Sequence, residues 1–437
     1  MANTVDRLLG IVKSAEFTLL IAAFMVYMSN PGVLLHTDVT TTRLLPLSII
    51  RERDFDLDEF TFLYENKSEL PYYLKNIEGR IVSTYPVFTP LLATPVYLLP
   101  ALTGLDIQSD NVILLAKISA ALMTAISCLF IYWTVKRCAS EKTALLVTAV
   151  YAFGTSNWTI SSQDLWQHGP GELFIAMSIY LLIRGLKEEK CIRYAGLALS
   201  TAVAIRPTNA IIALVLSAYV LMEHRRQFPR YILYAAPMAL AVLVYSQTYL
   251  HSMMLMGQVY NPTERWDNPL VDGLAGLLMS PAVGLLVYSP IFLVSLIGAL
   301  KPWQGERNAL NTQLRYYTLA TAVFILMWGK WRYWHGCHVY GPRMLIEILP
   351  FLCLFLARPA DEMLKNRRLA VLLLALAGIS VLAHFAQLAD LGGIFNENPI
   401  AANALICNGD VYNQEAWWDA KNTVYARYAD KVIALFN

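Results

Sequence analysis

Long apolar stretches separated by short polar segments fill most of this chain. A helix needs about 20 apolar residues to cross about 30 Å of hydrocarbon. Runs at 17–35, 112–135, 143–160, 170–186, 194–206, 208–222, 231–250, 284–300, 312–329, 343–357 and 369–388 therefore predict an all-α polytopic membrane protein with about 11 transmembrane helices. Basic residues collect in alternate short loops: Lys136, Arg137 and Lys142; Lys187, Lys190 and Arg193; Arg225, Arg226 and Arg230; Lys301 and Arg307; Arg358, Lys365, Arg367 and Arg368. Lys and Arg mark the cytoplasmic side. This orientation puts the N-terminus in the cytoplasm and a large first loop, 36–110, on the outer face. It divides the chain into a transmembrane module, 1–388, and an outer-face tail, 389–437.

Two stretches do not fit simple spans. The run from Val87 to Thr103 is apolar but carries Pro90, Pro95 and Pro100, each lacking a helix donor. If it crossed, every downstream basic cluster would face outward, so it is read as an interfacial or re-entrant helix. The second stretch, Tyr194 to Met222, breaks at Arg206-Pro207-Thr208-Asn209 into two short helices. An arginine at membrane depth is tolerated where it is buried in protein or lines a polar cavity. Within the first loop, Thr41 to Ile50 reads as an amphipathic helix, and Glu78-Gly79 as the turn of a hairpin.

Composition agrees: 57% hydrophobic, 15% charged, mean hydropathy +0.45, which places the chain in the membrane class. A net charge of +2 carries no nucleic-acid footprint. The first apolar run is too long for a signal peptide and lacks a small-residue cleavage site, so it is expected to be retained. None of the six cysteines falls in paired CxxC spacing, and Cys128 and Cys353 sit in apolar runs, which argues against structural zinc. Cys337 and Cys407 are the two placed on the outer face, where a disulfide is permitted.

Candidate chemistry lies on that same face. Asp38 follows the first helix, either as a helix cap or as a catalytic carboxylate. Asp54, Asp56 and Asp58 alternate, so an extended chain puts them on one side, either as a solvated edge or as ligands for a divalent cation, with Asp56 and Asp58 the weak metal candidates. Asp164 and His168 lie in the loop after the third helix, between tryptophans that suit either an aromatic belt or the wall of an active site. Lys330, Arg332, His338, Tyr340 and Arg343 crowd into one further loop. Outer cations run against the usual bias, and lipid headgroups or a lipid-linked phosphate would retain them, since guanidinium binds phosphate in bidentate fashion.

Together these strings resemble the GT-C glycosyltransferases, which use polyprenyl-phosphate-linked sugars. The resemblance rests on Asp38 with Arg43-Leu44-Leu45-Pro46, Ser83-Thr84-Tyr85-Pro86, Phe153-Gly154-Thr155, Leu165-Trp166-Gln167-His168, Ile205-Arg206-Pro207-Thr208-Asn209 and Tyr340-Gly341-Pro342-Arg343, and covers the chain to about residue 360. It implies Asp38 as catalytic base and Asp164 as the second acid, with Arg43, His168, Arg206, Lys330, Arg332, His338, Tyr340 and Arg343 binding substrate. His36-Thr37 stands where some members carry another acid, so metal assistance does not follow from the resemblance.

The implied reaction moves one sugar from a polyprenyl-phosphate donor to a hydroxyl of a glycan, lipid or protein acceptor, outside a bacterial inner membrane. A carboxylate would take the acceptor's proton and arginines would stabilise the leaving phosphate. A single displacement would invert the anomeric centre. A lipid or solute transporter and a non-catalytic assembly subunit are the rival readings. A transporter usually shows repeated halves, and none is visible in this chain.

Overall fold

The computed structural model describes residues 14–30, 37–65, 69–251, 266–336, 341–391, 414–423 and 425–426. Among them one small hairpin accompanies a bundle of helices. Helix α1 is Ala15–Met28. After it, the turn Thr37–Val39 leads into α2, Thr40–Arg51. Strands β1, Leu74–Ile77, and β2, Arg80–Ser83, pair antiparallel with Leu74 opposite Ser83. Glu78 and Gly79 make their turn at φ 52° and 93°, the doubly left-handed geometry that matches strand twist.

Helix α3, Phe88–Leu102, runs through Pro95 and Pro100 unbroken. At 15 residues it is about 22 Å long, short of the roughly 30 Å of hydrocarbon. It packs with α2, the hairpin and its approaches around Leu45, Leu57, Phe60 and Tyr97, forming a small core of its own against Ala116 and Ala120. The first loop is thus a folded lobe seated on the bundle.

The bundle continues with α4 (Asp110–Lys136), α5 (Glu141–Phe153), α6 (His168–Gly185), α7 (Ile192–Ile205), α8 (Ala210–Glu223) and α9 (Phe228–Tyr249). It closes with α10 (Leu270–Met279), α11 (Leu285–Tyr288), α12 (Phe292–Gln304), α13 (Ala309–Lys330), α14 (Leu349–Met363) and α15 (Arg367–Leu391). Helices α4, α9 and α15 are each long and apolar enough to cross a membrane. The outer surface of α9 and α15 is apolar, with Leu233, Leu240, Val371 and Leu382 all more than 60% exposed, as lipid contact requires.

The break between α7 and α8 falls at Arg206, whose backbone is extended, followed by a tight turn Pro207–Asn209. Three segments differ from the hydrophobic pattern. The third span ends at Phe153, and a π-helical turn, Asn157–Ser161, follows it. The run near 284–300 is split by Pro290 into α11 and α12. Helix α10 forms where no span is predicted: it is a ten-residue helix whose Gly273 lies against the Gly329 backbone with no room for a side chain.

Cys138, Lys301, Arg358 and Lys365, on helices and the turns that follow them, gather around one cavity at one end of the bundle. His168 and Arg206 sit at the other ends of their helices, facing the first-loop lobe. Charge and chemistry therefore separate to opposite ends.

Candidate active site

A cavity of about 190 Å³ opens between the first-loop lobe and the bundle. Asp38, Tyr85, Trp166, His168, Arg206, Trp328, Trp331, Tyr333, Arg343 and Met344 contribute to its walls. The lining is mostly apolar surface, much of it from tyrosine and tryptophan rings, with charged groups at a few places, the usual composition of a ligand site.

Asp38 stands in the Thr37–Val39 turn with its side chain 18% exposed. One carboxylate oxygen accepts from Arg343 Nη1 at 3.0 Å, and the other accepts from the Tyr72 hydroxyl at 2.6 Å. Partial burial and the neighbouring carboxylate both push the Tyr72 phenol well above its ordinary value, so it remains a donor. Arg343 begins the 3-10 segment Arg343–Ile348 that precedes α14, set by Gly341 at φ 61° and by Pro342. Its Nη2 donates to the Gly336 carbonyl at 2.8 Å, and its guanidinium lies 5.0 Å from the Trp166 ring centroid. These contacts hold both members of the Asp38–Arg343 pair in defined orientations.

Deeper in, Arg206 projects from the helix break, 5.0 Å from the Trp328 ring centroid. Its Nη1 donates to a Glu347 carboxylate oxygen, and His168 Nδ1 lies 3.0 Å from that same oxygen. Glu347 is fully buried and Arg206 nearly so. A buried charge is costly unless it is paired, and Glu347 supplies the counter-charge for Arg206.

The residues singled out from sequence divide into two groups. Asp38, His168, Arg206 and Arg343 converge on the cavity. Asp164 does not line it: its buried carboxylate is taken by the Arg43 guanidinium and by the Leu165 amide at 2.8 Å. This arrangement ties α2 to the loop before α6. Arg332 pairs with Asp267, and Lys330 Nζ donates to the Asn268 carbonyl at 3.0 Å, on the segment that leads into α10.

Asp58 accepts the Ile81 amide at 2.6 Å, and the Asp56 backbone carbonyl takes the Ser48 hydroxyl at 2.7 Å. Both aspartates thus stitch the hairpin to α2. Among the described residues no His, Cys, Asp and Glu side chains are grouped to hold a metal ion. His338, Tyr340, Cys337 and Cys407 lie outside the described residues.

Glu347 is the residue the sequence reading missed. It sits in Leu345-Ile346-Glu347-Ile348-Leu349, and a lone carboxylate in an apolar stretch at membrane depth is itself a signal. Glu172 carries the same signal in α6, where it is fully buried and accepts from Asn157 Nδ2 at 3.2 Å.

Residues 94–251 match the family model described as dolichyl-phosphate-mannose-protein mannosyltransferase. Among solved structures, ArnT from Cupriavidus metallidurans in the apo state aligns with a TM-score of 0.52 at 12% identity, covering 98% of this chain and 76% of that one. The same protein bound to undecaprenyl phosphate aligns with a TM-score of 0.50 at 11% identity, covering 94% and 75% of the two chains. No curated protein sequence matches. The chain has the fold of ArnT, and three of its described helices are long and apolar enough to cross a membrane.

Proposed function

We propose that the protein is a glycosyltransferase that moves one sugar from a polyprenyl-phosphate donor to an acceptor hydroxyl. The observation that carries this reading is the Asp38–Arg343 pair at 3.0 Å in the wall of a cavity that also holds Arg206. One carboxylate and two guanidiniums supply what sugar transfer from a lipid phosphate needs: a proton acceptor for the incoming hydroxyl and positive charge for the leaving phosphate.

Asp38 takes the acceptor proton as the new glycosidic bond forms at the anomeric carbon. The bond from that carbon to the phosphate oxygen breaks, and the electron pair leaves with the lipid phosphate. Arg343, freed from Asp38 as donor binds, and Arg206, backed by Glu347, stabilise that charge. A single displacement inverts the anomeric configuration.

Tyr85 lines the cavity and also a narrow apolar groove formed by Val87, Phe88, Ala204, Val242 and Leu250, a seam between α3, α7 and α9 that would have to widen to admit a lipid chain. The ArnT fold, solved in one instance with undecaprenyl phosphate, supports a lipid of this class. The cavity lies at the end opposite the basic loops, which supports an outer-face site in a bacterial inner membrane with the N-terminus inside. Residues 1–388 then form the catalytic module and 389–437 an outer segment.

Sugar transfer by the purified protein from a defined polyprenyl-phosphate sugar is the direct test. Arg206→Ala and Arg343→Ala are each expected to weaken donor binding or turnover by about tenfold or more, while Arg226→Ala, at the other end, leaves both unchanged. No transfer from any lipid-phosphate sugar, with lipid transport intact, would replace this reading by the transporter.

A further inference from the structure

The segment around Trp417 reaches back to the loop that orients Arg343. Trp417 is fully buried, and its ring stacks on His335 with centroids 4.3 Å apart and planes 17° apart. Its backbone carbonyl accepts from Ser280 Oγ at 2.6 Å, at the C-terminal end of α10. Further along, the Tyr425 hydroxyl donates to the Val287 carbonyl at 2.8 Å. The segment is thus moored to the bundle at two points, the C-terminal end of α10 and α11 itself.

What it covers is the stretch between α13 and Arg343. Trp334 lies flat against Gly276 of α10, where a side chain would collide with its ring, and is 1% exposed. His335 is 3% exposed, enclosed by Trp334 on one side and Trp417 on the other. The next residue, Gly336, takes φ 77°, and its carbonyl accepts from Arg343 Nη2, while Nη1 of the same guanidinium reaches Asp38. Four consecutive contacts therefore link Trp417 to Asp38: ring to ring, one peptide bond, carbonyl to guanidinium, and guanidinium to carboxylate.

We infer that the Trp417 segment is a strap that positions the Gly336 carbonyl, and through it holds the guanidinium of Arg343 at the cavity wall beside Asp38. A glycine at positive φ next to an enclosed histidine has little to fix it besides its neighbours, because glycine populates many backbone conformations. Trp417 supplies the fixed surface on that side. It is a positioning residue, and its effect reaches Asp38 through Arg343. The consequence for turnover rests on the sugar transfer proposed above; the consequence for backbone protection does not.

The test uses the full chain in detergent or nanodiscs, with Trp417→Ala and Trp417→Phe. Amide hydrogen exchange read by mass spectrometry is expected to speed up about tenfold or more over 331–336 and 343–348 in the alanine variant. The phenylalanine variant, which keeps a ring against His335, stays within about twofold of the parent. Helices α5 and α8 serve as internal controls, and their exchange stays unchanged. On activity, Trp417→Ala lowers turnover about tenfold, and adding it to Arg343→Ala causes no further loss, since the two act through one contact chain.

Unchanged exchange in both segments overturns the strap. A further full loss in the double variant also overturns it, because the strap would then act elsewhere. Faster exchange in a protein that transfers no sugar upholds the strap and tells against the transferase.

Discussion

Arg206 and Glu347, 141 residues apart in the chain, meet in an ion pair with side chains only 9% and 0% exposed. The arginine comes from a helix break and the carboxylate from the 3-10 segment before α14, so this pair locks two halves of the bundle together beneath the cavity. Glu347→Gln keeps the shape and leaves Arg206 buried without a counter-charge. Breaking one side of a buried pair costs about 3–5 kcal/mol, a large part of a typical folding free energy of about 5–15 kcal/mol. A pronounced drop in thermal unfolding temperature in detergent is expected. Adding Arg206→Gln should recover part of that stability and leave donor binding lost; a single variant as stable as the parent would mean the pair is not holding the halves.

Asp164 separates from Asp38 by the same kind of measurement. With its carboxylate held by Arg43 and the Leu165 amide, Asp164→Asn is expected to lower thermal stability and turnover together. A variant of normal stability with turnover reduced a hundredfold or more, on the scale of a lost general base (about 10²–10⁴), would restore Asp164 to the chemistry.

The hydrophobic pattern was enough to place α1, the break at Arg206, the amphipathic α2 and the Glu78-Gly79 hairpin, because each depends on local periodicity or on turn residues acting within a few positions. Helix α10 escaped it: ten residues are too few for a span, and the helix is held by the close approach of Gly273 to Gly329, a long-range contact. The site divides along the same line. Asp38, His168, Arg206 and Arg343 stood out as charged or polar groups at helix ends. Which of the acids faces the cavity was set by partners far along the chain, Arg43 for Asp164 and Tyr72 for Asp38. Glu347 was legible in principle as a carboxylate in an apolar run, and only its meeting with Arg206 gave it a role.

Asp38→Asn is expected to cut transfer by about 10²–10⁴ and leave unfolding temperature and membrane insertion close to the parent, since the carboxylate is partly exposed and the amide still accepts from Arg343. Single-turnover kinetics with saturating donor isolate the chemical step. Retained turnover would move the base to another group.

The first-loop lobe should respond to pH in the direction set by Asp56 and Glu59. Burial, with the neighbouring carboxylates adding to it, raises both above their ordinary values. An acid whose folded value is raised binds its proton more tightly when folded, so its ionised form costs stability. That cost is complete above the folded value and is lifted as pH falls through it toward the unfolded value. Asp56→Asn should therefore raise the stability of the lobe at neutral pH and flatten its gain on mild acidification. Hydrogen exchange over 74–83 at the two pH values reads this locally, and an equal pH response in the variant would assign it to another group.

Helix α3 decides the orientation of everything after it. It is apolar and about 22 Å long, and Leu98, Leu99 and Leu102 at its far end are exposed while Val87 at its start is buried. In the proposed orientation α3 is a juxtamembrane helix that presents this exposed end to the outer interface, and its sliding against α9 would open the groove that Tyr85 shares with the cavity to a lipid chain. Leu99→Cys in a cysteine-free background is therefore expected to react with a membrane-impermeant maleimide added from outside, whereas Val87→Cys stays unreactive until the protein is unfolded. Labelling of Leu99→Cys only from the cytoplasm would make α3 a crossing helix, reverse the side assigned to every later loop, and place the Asp38–Arg343 cavity on the opposite side of the membrane from the end of α3.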